Sequence, residues 1–459
     1  MAITMTMHFS MFMLLTLSTC VNSLNIDFDS SESIKAGAGS IAYGLMKYYT
    51  GNNTGQIPGN LSAPYYWWET GAMFGSLIDY WALTDDDAYN DVVKQGMIYQ
   101  IGPDNDFRPR NQSAAEANDD QGMWAMAAMS AVETEFSGAS KEQSQWLTIV
   151  EAVFNEYVSR WDKKQCDGGL RWQISPLLNG YNYKNSISNG CFFNIASRLY
   201  QQTKNETYSN WAAIIFQWEQ KVGLISESYA VLDGLSLGDS TCSNINKLES
   251  SQNTGIFLHG SAVMYNTTQD DTWKTRLNGL LKNAQAKFFR EGVMLEPMCE
   301  GVRLCNIDMQ SFKGFLIRPL TTMMQLAPYT VDTIKPLLMS TAKAAAVACS
   351  GSPSTGFMGH SGTACGFSWI SHGNDSFDGL VGVGEQMNAL SAVLSTLSTN
   401  LGSSHDKGTG TGEAHQPSAS TGQSSSHGSN GSKSNGHRLS VGIQMTGLIA
   451  VVMMYQAFL

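Results

Sequence analysis

The chain has 459 residues, a formal net charge of −11 and a charged fraction of only 15%, well below the roughly 25% of an average globular protein. This length suffices for one large domain with tails or for two or three ordinary domains, and it excludes a small disulfide-stapled module. The acidic balance, without any cluster of lysine and arginine, excludes nucleic acid as a partner. A composition low in charge but rich in Asn, Ser, Thr and Gly is typical of an extracellular glycoprotein.

Residues 1–23 have the pattern of a secretory signal peptide. Met11 to Leu17 forms a short apolar core, and Val21-Asn22-Ser23 is a small-residue cleavage site. A membrane anchor is the alternative, although the apolar run is too short to span a bilayer. The sequence therefore predicts cleavage after residue 23 and a secretory destination.

Helical segments alternate with breaks rich in Gly, Asn and Pro between residues 31 and 400. Helices with a single apolar stripe are predicted at about 31–49, 86–100, 142–160, 206–220, 272–290 and 331–349. Helices that are rich in small residues and apolar on several faces are predicted at about 66–82, 114–134, 186–203, 252–267, 308–328 and 384–399. Because a helix that is apolar all round is buried and a striped one lies outside, this alternation predicts an all-α (α/α)6 barrel over residues 24–400. An irregular helical bundle or solenoid is the alternative.

The C-terminal 59 residues change character twice. Residues 401–430 are rich in Gly, Ser, His and Thr and are predicted to form a disordered, O-glycosylated stalk. Residues 431–459 consist of a polar spacer and an apolar tail from Leu439 to Leu459. Small residues, a spacer and a terminal apolar tail form the pattern of a GPI-attachment signal, and we predict attachment at Asn430. A tail-anchored helix is the alternative.

Two further features indicate the secretory pathway. Sequons for N-glycosylation, which predict modified surface loops, start at Asn52, Asn60, Asn111, Asn205, Asn266 and Asn374. Of eight cysteines, Cys20 leaves with the signal peptide, and the others should mostly pair in an oxidising compartment.

Neighbours in sequence predict the cysteine pairs 299–305, 349–365 and 166–191, which leaves Cys242 single. Sequence alone does not fix this connectivity. No Cys-x-x-Cys pair and no histidine-containing ligand spacing occurs in the chain, so we predict neither a metal site nor another cofactor.

The segment 111–124, NQSAAEANDDQGMW, places two adjacent carboxylates, Asp119 and Asp120, before an apolar helix. Either Ser113 with Glu116 or Asn118 with Gln121 fits a capping box. The second alternative places both aspartates in the first turn, where the helix dipole favours ionised carboxylates. A solvated helix start is the ordinary explanation. However, this helix is predicted to be buried, and two charges at its mouth cost free energy unless they serve a function.

Glycoside hydrolysis is the chemistry that two such carboxylates can perform. It requires one carboxylic acid to protonate the leaving oxygen and a second carboxylate on the other side of the anomeric carbon. Adjacent helical residues do not face each other, yet they can flank one small centre, and their mutual repulsion raises the pKa of one of them. Aromatic residues at predicted helix mouths, which would stack on sugars or pack in the core, are Tyr65, Tyr66, Trp67, Trp68, Trp172, Tyr181, Tyr183 and Trp369.

Five segments follow one another along the chain: WWETGAMFG at 67–75, NDDQ at 118–121, KNSISNGCFFN at 184–194, SFKGF at 311–315 and GEQMNAL at 384–390. Together they resemble glycoside hydrolase family 76, which includes the fungal mannan endo-1,6-α-mannosidases and their cell-wall paralogues. The resemblance spans residues 25–400. It implies an (α/α)6 barrel and a retaining enzyme that acts on α-1,6-linked mannose.

The resemblance also implies roles for individual residues, with Asp119 as the nucleophile and Asp120 as the acid/base. The groove positions that it carries over are Trp67, Trp68, Glu69, Asn118, Gln121, Lys184, Asn185, Asn189, Asp308 and Glu385. Two departures precede the aspartates: Arg108 and Arg110 add charge, and Ala117 stands where the family often has glycine.

Three functions are compatible with these features. The first is a transglycosylase that cleaves α-1,6-mannose of a GPI glycan, forms a mannosyl-enzyme at Asp119 and passes the glycan to wall β-glucan. The second is plain endohydrolysis of α-1,6-mannan. The third is a catalytically inactive glycan-binding wall protein. The predicted GPI signal, which would attach the chain to a membrane at the cell wall, favours the first.

Overall fold

The structure is a computed structural model that describes residues 24–136, 140–238, 241–370 and 377–401. These residues belong to one compact unit. The predicted signal peptide, the GPI signal with Asn430, the sequon at Asn374 and the predicted stalk from residue 402 onwards lie outside the described residues. None of the described helices is both long enough and apolar enough to cross a membrane.

Twelve α-helices occur in the described part of the chain. In chain order they are α1 (Ser31–Met46), α2 (Trp67–Thr84), α3 (Asn90–Tyr99), α4 (Asn118–Glu133), α5 (Ser140–Arg160), α6 (Ser186–Thr203), α7 (Glu206–Lys221), α8 (Ser251–Thr268), α9 (Asp271–Phe288), α10 (Phe312–Leu326), α11 (Val331–Ala348) and α12 (Val383–Leu401). All twelve predicted helices are confirmed. The largest boundary differences are at α3, α4 and α10, each of which begins four residues later than predicted.

The even-numbered helices form a closed inner ring. Each of them contacts the next, and α12 returns to contact α2. Glycines permit this close approach: a Cβ atom on Gly255 of α8 would lie 2.0 Å from the carbonyl oxygen of Phe315 on α10, and one on Gly71 of α2 would lie 3.0 Å from the ring of Trp124 on α4. The odd-numbered helices pack outside the ring, so the predicted (α/α)6 barrel is confirmed.

The connections divide the barrel into two unlike ends. Long loops precede every inner helix, at 47–66, 100–117, 161–185, 222–250, 289–311 and 349–382, and together they define the loop end. Short connections at 85–89, 134–139, 204–205, 269–270 and 327–330 define the short-turn end. Because the helices alternate in direction, the amino termini of all inner helices meet at the loop end.

Short strands, which the sequence did not predict, occur within the long loops. A three-stranded antiparallel sheet has the order β1 (Tyr183–Asn185), β2 (Leu232–Ser236), β3 (Ile245–Glu249). Two small hairpins pair β4 (Phe289–Arg290) with β5 (Val293–Met294) and β6 (Cys349–Gly351) with β7 (Ala364–Cys365). Strand β1 runs directly into α6, and it therefore fixes the start of that inner helix.

The disulfides confirm two of the three predicted pairs. Cys299 is bonded to Cys305 and Cys349 to Cys365. The predicted pair 166–191 is wrong, because Cys166 is bonded to Cys242 and Cys191 is a buried free thiol. The physical reason is that Cys191 lies on an inner helix, packed against Gly122 of α4, whereas Cys166 and Cys242 lie in neighbouring loops at the loop end.

The described sequons are accessible. Asn52, Asn111, Asn205 and Asn266 are exposed, and Asn60 is partly exposed. Asn205 caps α7, since its side-chain oxygen accepts a hydrogen bond from the backbone of Thr207. This contact leaves the amide nitrogen, which carries the glycan in N-glycosylation, available.

Candidate active site

Asp119 and Asp120 occupy the second and third positions of α4, at the loop end of the barrel. Their predicted place in the first helical turn is confirmed, but both predicted capping boxes are wrong. The cap residue is Ala117, and the carboxylate of Asp120 accepts a hydrogen bond from its backbone N–H at 2.8 Å. The carboxyl group of Asp120, a catalytic candidate, therefore also caps the amino terminus of α4.

The first residue of α4 is tied to two other elements. The backbone N–H of Asn118 donates to the carbonyl of Trp172 at 2.9 Å, and its side-chain amide donates to the carbonyl of Arg171 at 2.8 Å. The hydroxyl of Tyr157, on the outer helix α5, donates to the carbonyl of Asn118. These bonds hold the backbone beneath the two aspartates, so Asn118 and Tyr157 position the pair.

Asp119 and Asp120 lie, partly exposed, in the opening of the barrel at the loop end, which we call the mouth. Both carboxyl groups have raised pKa values. Burial raises the pKa of Asp119 well above its usual range, and the charge of Asp120 raises it further. Burial also raises the pKa of Asp120, to about 6, although the N–H of Ala117 opposes the rise. Asn185 is the partner of Asp119 across the mouth, with its amide nitrogen 3.5 Å from Asp119 Oδ2. Since interacting carboxyl groups lose their protons as a pair, the charge left by the first ionisation opposes the second.

Three more carboxyl groups lie around the same mouth. Glu69, at the third position of α2, accepts a hydrogen bond from the backbone of Tyr66 with Oε2, while its buried Oε1 has no partner among the described residues. Burial raises the pKa values of Glu69, Glu385 and Asp308 to about 8, 7 and 6, and Asp308 and Glu385 raise that of Glu69 further. No group of three or more His, Cys, Asp or Glu side chains in the described ranges is arranged to hold a metal ion.

A cleft lined by carboxyl groups with raised pKa values is a candidate for proton-transfer chemistry, and the comparisons with known proteins agree. The model of glycosyl hydrolase family 76 matches residues 33–406. The chain belongs to glycosyl hydrolase family 76. It is therefore a glycosidase by class, and the pair of aspartates lies where its long loops meet.

Relatives of this glycosidase are found among fungi. It is 44% identical over 377 residues to the mannan endo-1,6-alpha-mannosidase DCW1 of Saccharomyces cerevisiae, covering 82% of this chain and 81% of that protein. It is 43% identical over 375 residues to a putative mannan endo-1,6-alpha-mannosidase of Schizosaccharomyces pombe, covering 82% and 83%.

Solved structures resemble the chain as well. Dfg5 of Chaetomium thermophilum, in complex with glucosamine, has a TM-score of 0.75 and 43% identity and covers 81% of this chain and 92% of that chain. An inactive variant of the alpha-1,6-mannanase GH76A of Salegentibacter sp., in complex with alpha-1,6-mannotriose, has a TM-score of 0.63 and covers 80% and 99%. At 18% identity, that second likeness shows the fold alone.

The aromatic residues of this family 76 chain divide between the mouth and the core. Trp68 is partly exposed, and its indole N–H donates to Asp308 at 3.3 Å, so it can offer a ring to a bound sugar. Trp67 instead stacks on Trp124 with a ring separation of 5.1 Å, and its N–H donates to Gln100. Trp369 is 5% exposed. Trp68 therefore lies in the mouth, whereas Trp67 and Trp369 are buried in the core.

Three of the predicted groove residues lie behind the mouth rather than in it. Lys184 is fully buried, and its ammonium donates to three carbonyl groups of the loop 162–168, including Asp162 and Gln165. Asn189 bonds the N–H and the carbonyl of Leu170. Gln121 donates to the carbonyl of Asp106 at 2.7 Å and accepts from Arg160. Through these hydrogen bonds the three side chains hold the loops that carry the site.

Two more residues complete the site: Tyr157, which the sequence analysis missed, and Tyr65, which it named only as an aromatic that stacks or packs. Tyr157 supports Asn118 from the outer helix α5, and no local pattern marks it among the other buried aromatics. Tyr65 accepts a hydrogen bond from the backbone of Val383 at 3.3 Å, which ties the start of α2 to the start of α12. The position of Tyr65 beside the WWETGAMFG segment predicted an aromatic ring that stacks, but it did not predict this hydrogen bond.

Proposed function

We propose that the chain is a retaining enzyme that cleaves α-1,6-mannosidic linkages and transfers the released glycan to an acceptor sugar. The observation that carries this proposal is the pair of adjacent carboxyl groups, Asp119 and Asp120, whose pKa values are both raised at the mouth of the barrel. A retaining reaction needs one protonated and one ionised carboxyl group about 5–5.5 Å apart. The fungal relatives named mannan endo-1,6-alpha-mannosidase support the choice of substrate.

In the proposed reaction Asp119 attacks the anomeric carbon while Asp120 gives its proton to the leaving oxygen. The bond from the anomeric carbon to that oxygen breaks, and a mannosyl ester forms on Asp119. Asp120 then takes the proton of the incoming hydroxyl, which attacks the ester and releases Asp119. The roles come from the family resemblance, and Asn185 is placed to hold Asp119 during the attack.

The electrostatics of the free protein distribute the proton differently. Asp120 accepts a backbone N–H at a helix start, which stabilises its ionised form, whereas burial and the charge of Asp120 raise the pKa of Asp119. In the proposed reaction, donor binding must therefore favour the protonated form of Asp120. The leaving oxygen, placed beside Asp120, supplies the acceptor that favours this form. The reversed assignment, with Asp120 as the nucleophile, is the alternative that the experiments must test.

The donor that we propose is the α-1,6-linked mannose of a GPI glycan. The mouth carries Glu69, Asp308 and Glu385 in addition to the pair. An ammonium group bound beside them would lower their raised pKa values and donate charge-assisted hydrogen bonds to the ionised carboxylates. Dfg5 of Chaetomium thermophilum was solved in complex with glucosamine, an amino sugar that plain mannan lacks. An acidic mouth thus suits a glycan that contains an amino sugar better than an uncharged mannan.

The proposed acceptor is wall β-glucan, and the proposed location is the cell surface. The signal peptide predicted at residues 1–23 and the GPI signal at 431–459 support secretion and a membrane anchor. Together with the exposed sequons, they support a glycoprotein that works where GPI-anchored proteins meet the wall. Transfer there would crosslink those proteins to the glucan.

The experiment offers the purified mature protein an α-1,6-mannotetraose donor, with and without a β-1,3-glucan oligosaccharide acceptor, and analyses the products by mass spectrometry. Transfer predicts hybrid mannose–glucose products that appear only when the acceptor is present. If free reducing ends form and no hybrid product appears, the transferase proposal fails and plain endohydrolysis of α-1,6-mannan remains. If neither product forms from this donor or from one that ends in glucosamine, the proposed activity fails and a glycan-binding wall protein without activity remains. A donor that ends in glucosamine, compared with one that ends in glucose, tests the role of the acidic mouth.

A further inference from the structure

A cavity of about 550 Å³ lies inside the barrel, and none of the five carboxyl groups of the mouth lines it. Its walls come from all six inner helices, mostly from their C-terminal halves, and they extend from Gly71 in the second turn of α2 to Ser398 near the short-turn end. This volume falls within the range of about 300–1,000 Å³ that is usual for small-molecule sites. We call it the basal cavity, and the proposed reaction makes no use of it.

The charged groups of the basal cavity are balanced in pairs. Arg198 is 3% exposed and forms two hydrogen bonds with the carboxylate of Glu133, at 2.8 and 2.7 Å. Arg318 of α10 reaches past α12 to Asp79 of α2, with its Nε 2.6 Å from the carboxylate. Because each guanidinium has its own carboxylate, the cavity carries no surplus charge that would select an anion or a cation.

Unused hydrogen-bonding groups remain on two side chains of the wall. In the described part of the chain, Arg318 bonds only through Nε, so both of its terminal nitrogens are free to donate. The ring of His259 forms no hydrogen bond within the described residues, and it lines the same cavity as the two arginines. Burial and the charges of Arg198 and Arg318 lower its pKa. A neutral imidazole offers one donor and one acceptor.

The rest of the wall alternates apolar surface with uncharged polar groups. Met126, Val263 and Leu394 present C–H surface, while Gln202 and Ser395 present an amide and a hydroxyl group. A sugar needs both kinds of surface, because its ring has C–H faces and its edge carries hydroxyl groups that donate and accept. Planar groups such as guanidinium, carboxylate and imidazole suit neighbouring hydroxyl pairs, since each can make two hydrogen bonds in one plane.

We propose that the basal cavity is a second saccharide-binding site, which takes the end of a neutral glycan through Arg318 and His259. The site is separate from the catalytic mouth, and it does not depend on which reaction occurs there. It faces the end of the barrel at which α12 finishes, at Leu401, and from which the chain continues into the predicted stalk. A glycan held there would fix the orientation of the barrel, with the catalytic mouth turned away.

The test counts saccharide sites in the full mature chain by isothermal titration calorimetry. The chain carries Asp119→Asn and Asp120→Asn so that no turnover occurs, and the probes are α-1,6-mannobiose and β-1,3-glucobiose at up to about 10 mM, which detects millimolar affinities. We expect at least one disaccharide to bind with two equivalents. Gln202→Trp, at an exposed position on the cavity rim, and His259→Gln should each remove one equivalent and leave the other.

The control is Gln220→Trp, the same change at an exposed position of the outer helix α7, which should keep both equivalents. Thermal unfolding checks that each variant is folded, and Gln202→Trp keeps the test decisive if His259→Gln does not fold. The proposal is overturned if both disaccharides stop at one equivalent, because the catalytic mouth accounts for that one. It is also overturned if a second equivalent survives both cavity variants.

Discussion

The catalytic mouth and the basal cavity use carboxyl groups in opposite ways. In the mouth, the side chains of Glu69, Asp119, Asp120, Asp308 and Glu385 come together, and none of them forms an ion pair among the described residues. In the basal cavity, Asp79 and Glu133 are each bonded to an arginine. The same side-chain type therefore lacks a cation in the mouth and is matched with one in the basal cavity.

The unpaired carboxyl groups of the mouth lower the stability of the fold, whereas the paired ones do not. A buried carboxyl group without a cation keeps its proton to unusually high pH, which suits it to proton transfer and destabilises its ionised form. A carboxylate bonded to arginine stays ionised and can only hold helices together. We therefore expect substitutions of the aspartate pair to change activity and its pH dependence, and substitutions of the arginine-bonded carboxylates to change stability.

The largest expected effect is on catalysis by the aspartate pair. Asp120→Asn should lower the rate on α-1,6-mannooligosaccharides by about 10²–10⁴-fold, because it removes the proton of the acid, and Asp119→Asn should lower it at least as much. A dinitrophenyl α-mannobioside, whose leaving group needs no proton, should restore formation of the mannosyl-enzyme in the Asp120 variant alone. Stopped-flow release of dinitrophenol measures this step.

The matched control is Asp85→Asn, which changes an exposed aspartate that pairs with Lys35 at the short-turn end. Its activity should stay within about twofold of the wild type, as is usual for surface substitutions. If the activated substrate restores the Asp119 variant instead, Asp120 is the nucleophile and the two roles are reversed.

The second effect is on stability at the short-turn end. Glu133→Gln leaves the buried guanidinium of Arg198 without its carboxylate, which should lower the free energy of unfolding by about 3–5 kcal/mol. Asp167→Asn breaks an ion pair with Lys221 in which both side chains are mostly exposed, and it should cost less than about 1 kcal/mol. Urea denaturation of both variants measures the difference, and equal losses would contradict the stabilising role of the arginine-bonded carboxylate.

The sequence predicted the barrel because each inner helix carries its own pattern. Small and apolar residues on every face mark α2, α4 and α8 as buried, without reference to any distant part of the chain. The start of α4 was misjudged because Ser113 and Glu116 have the spacing of a capping box, whereas residues 111–115 form turns and Asp120 caps the helix. The short strands were missed because two to five residues are too few to show a period.

The candidate site was predictable only where it is local. Asp119 and Asp120 adjoin each other in sequence, so their pairing was visible at once. Tyr157 contacts Asn118, beside the pair, from another helix. Lys184 was assigned to the groove because no local pattern shows that its ammonium donates to three carbonyl groups. Side chains that act through the fold, across tens of residues, leave no signature in a single sequence.

The third prediction concerns the corrected disulfide, which joins two loops at the loop end. The pair Cys166–Cys242 closes a loop of 76 residues and Cys299–Cys305 one of 6, so the loop-entropy model predicts that losing the first costs about 2 kcal/mol more. Urea denaturation of Cys166→Ser and Cys299→Ser measures this difference. A thiol titration of the unfolded, unreduced mature protein should find one free thiol, that of Cys191. A free thiol at Cys242 would restore the pairing that the sequence predicted.

The last effect is the pH dependence of stability that Glu69 adds in the mouth. Its pKa is about 8 in the folded protein and 4.5 ordinarily, so between these values the folded chain holds a proton that the unfolded chain has lost. Stability must therefore fall as pH rises through this window, with a slope of up to about 1.4 kcal/mol per pH unit.

Glu69→Gln, which keeps the size of the side chain, should remove this part of the slope. Thermal unfolding of both proteins from pH 4 to 8 measures it: the two should differ least near pH 4, where Glu69 is protonated in both states, and the variant should gain relative stability towards pH 8. Parallel curves over the whole range would show that Glu69 is ionised in the folded protein, and the mouth would then resemble the basal cavity at this position.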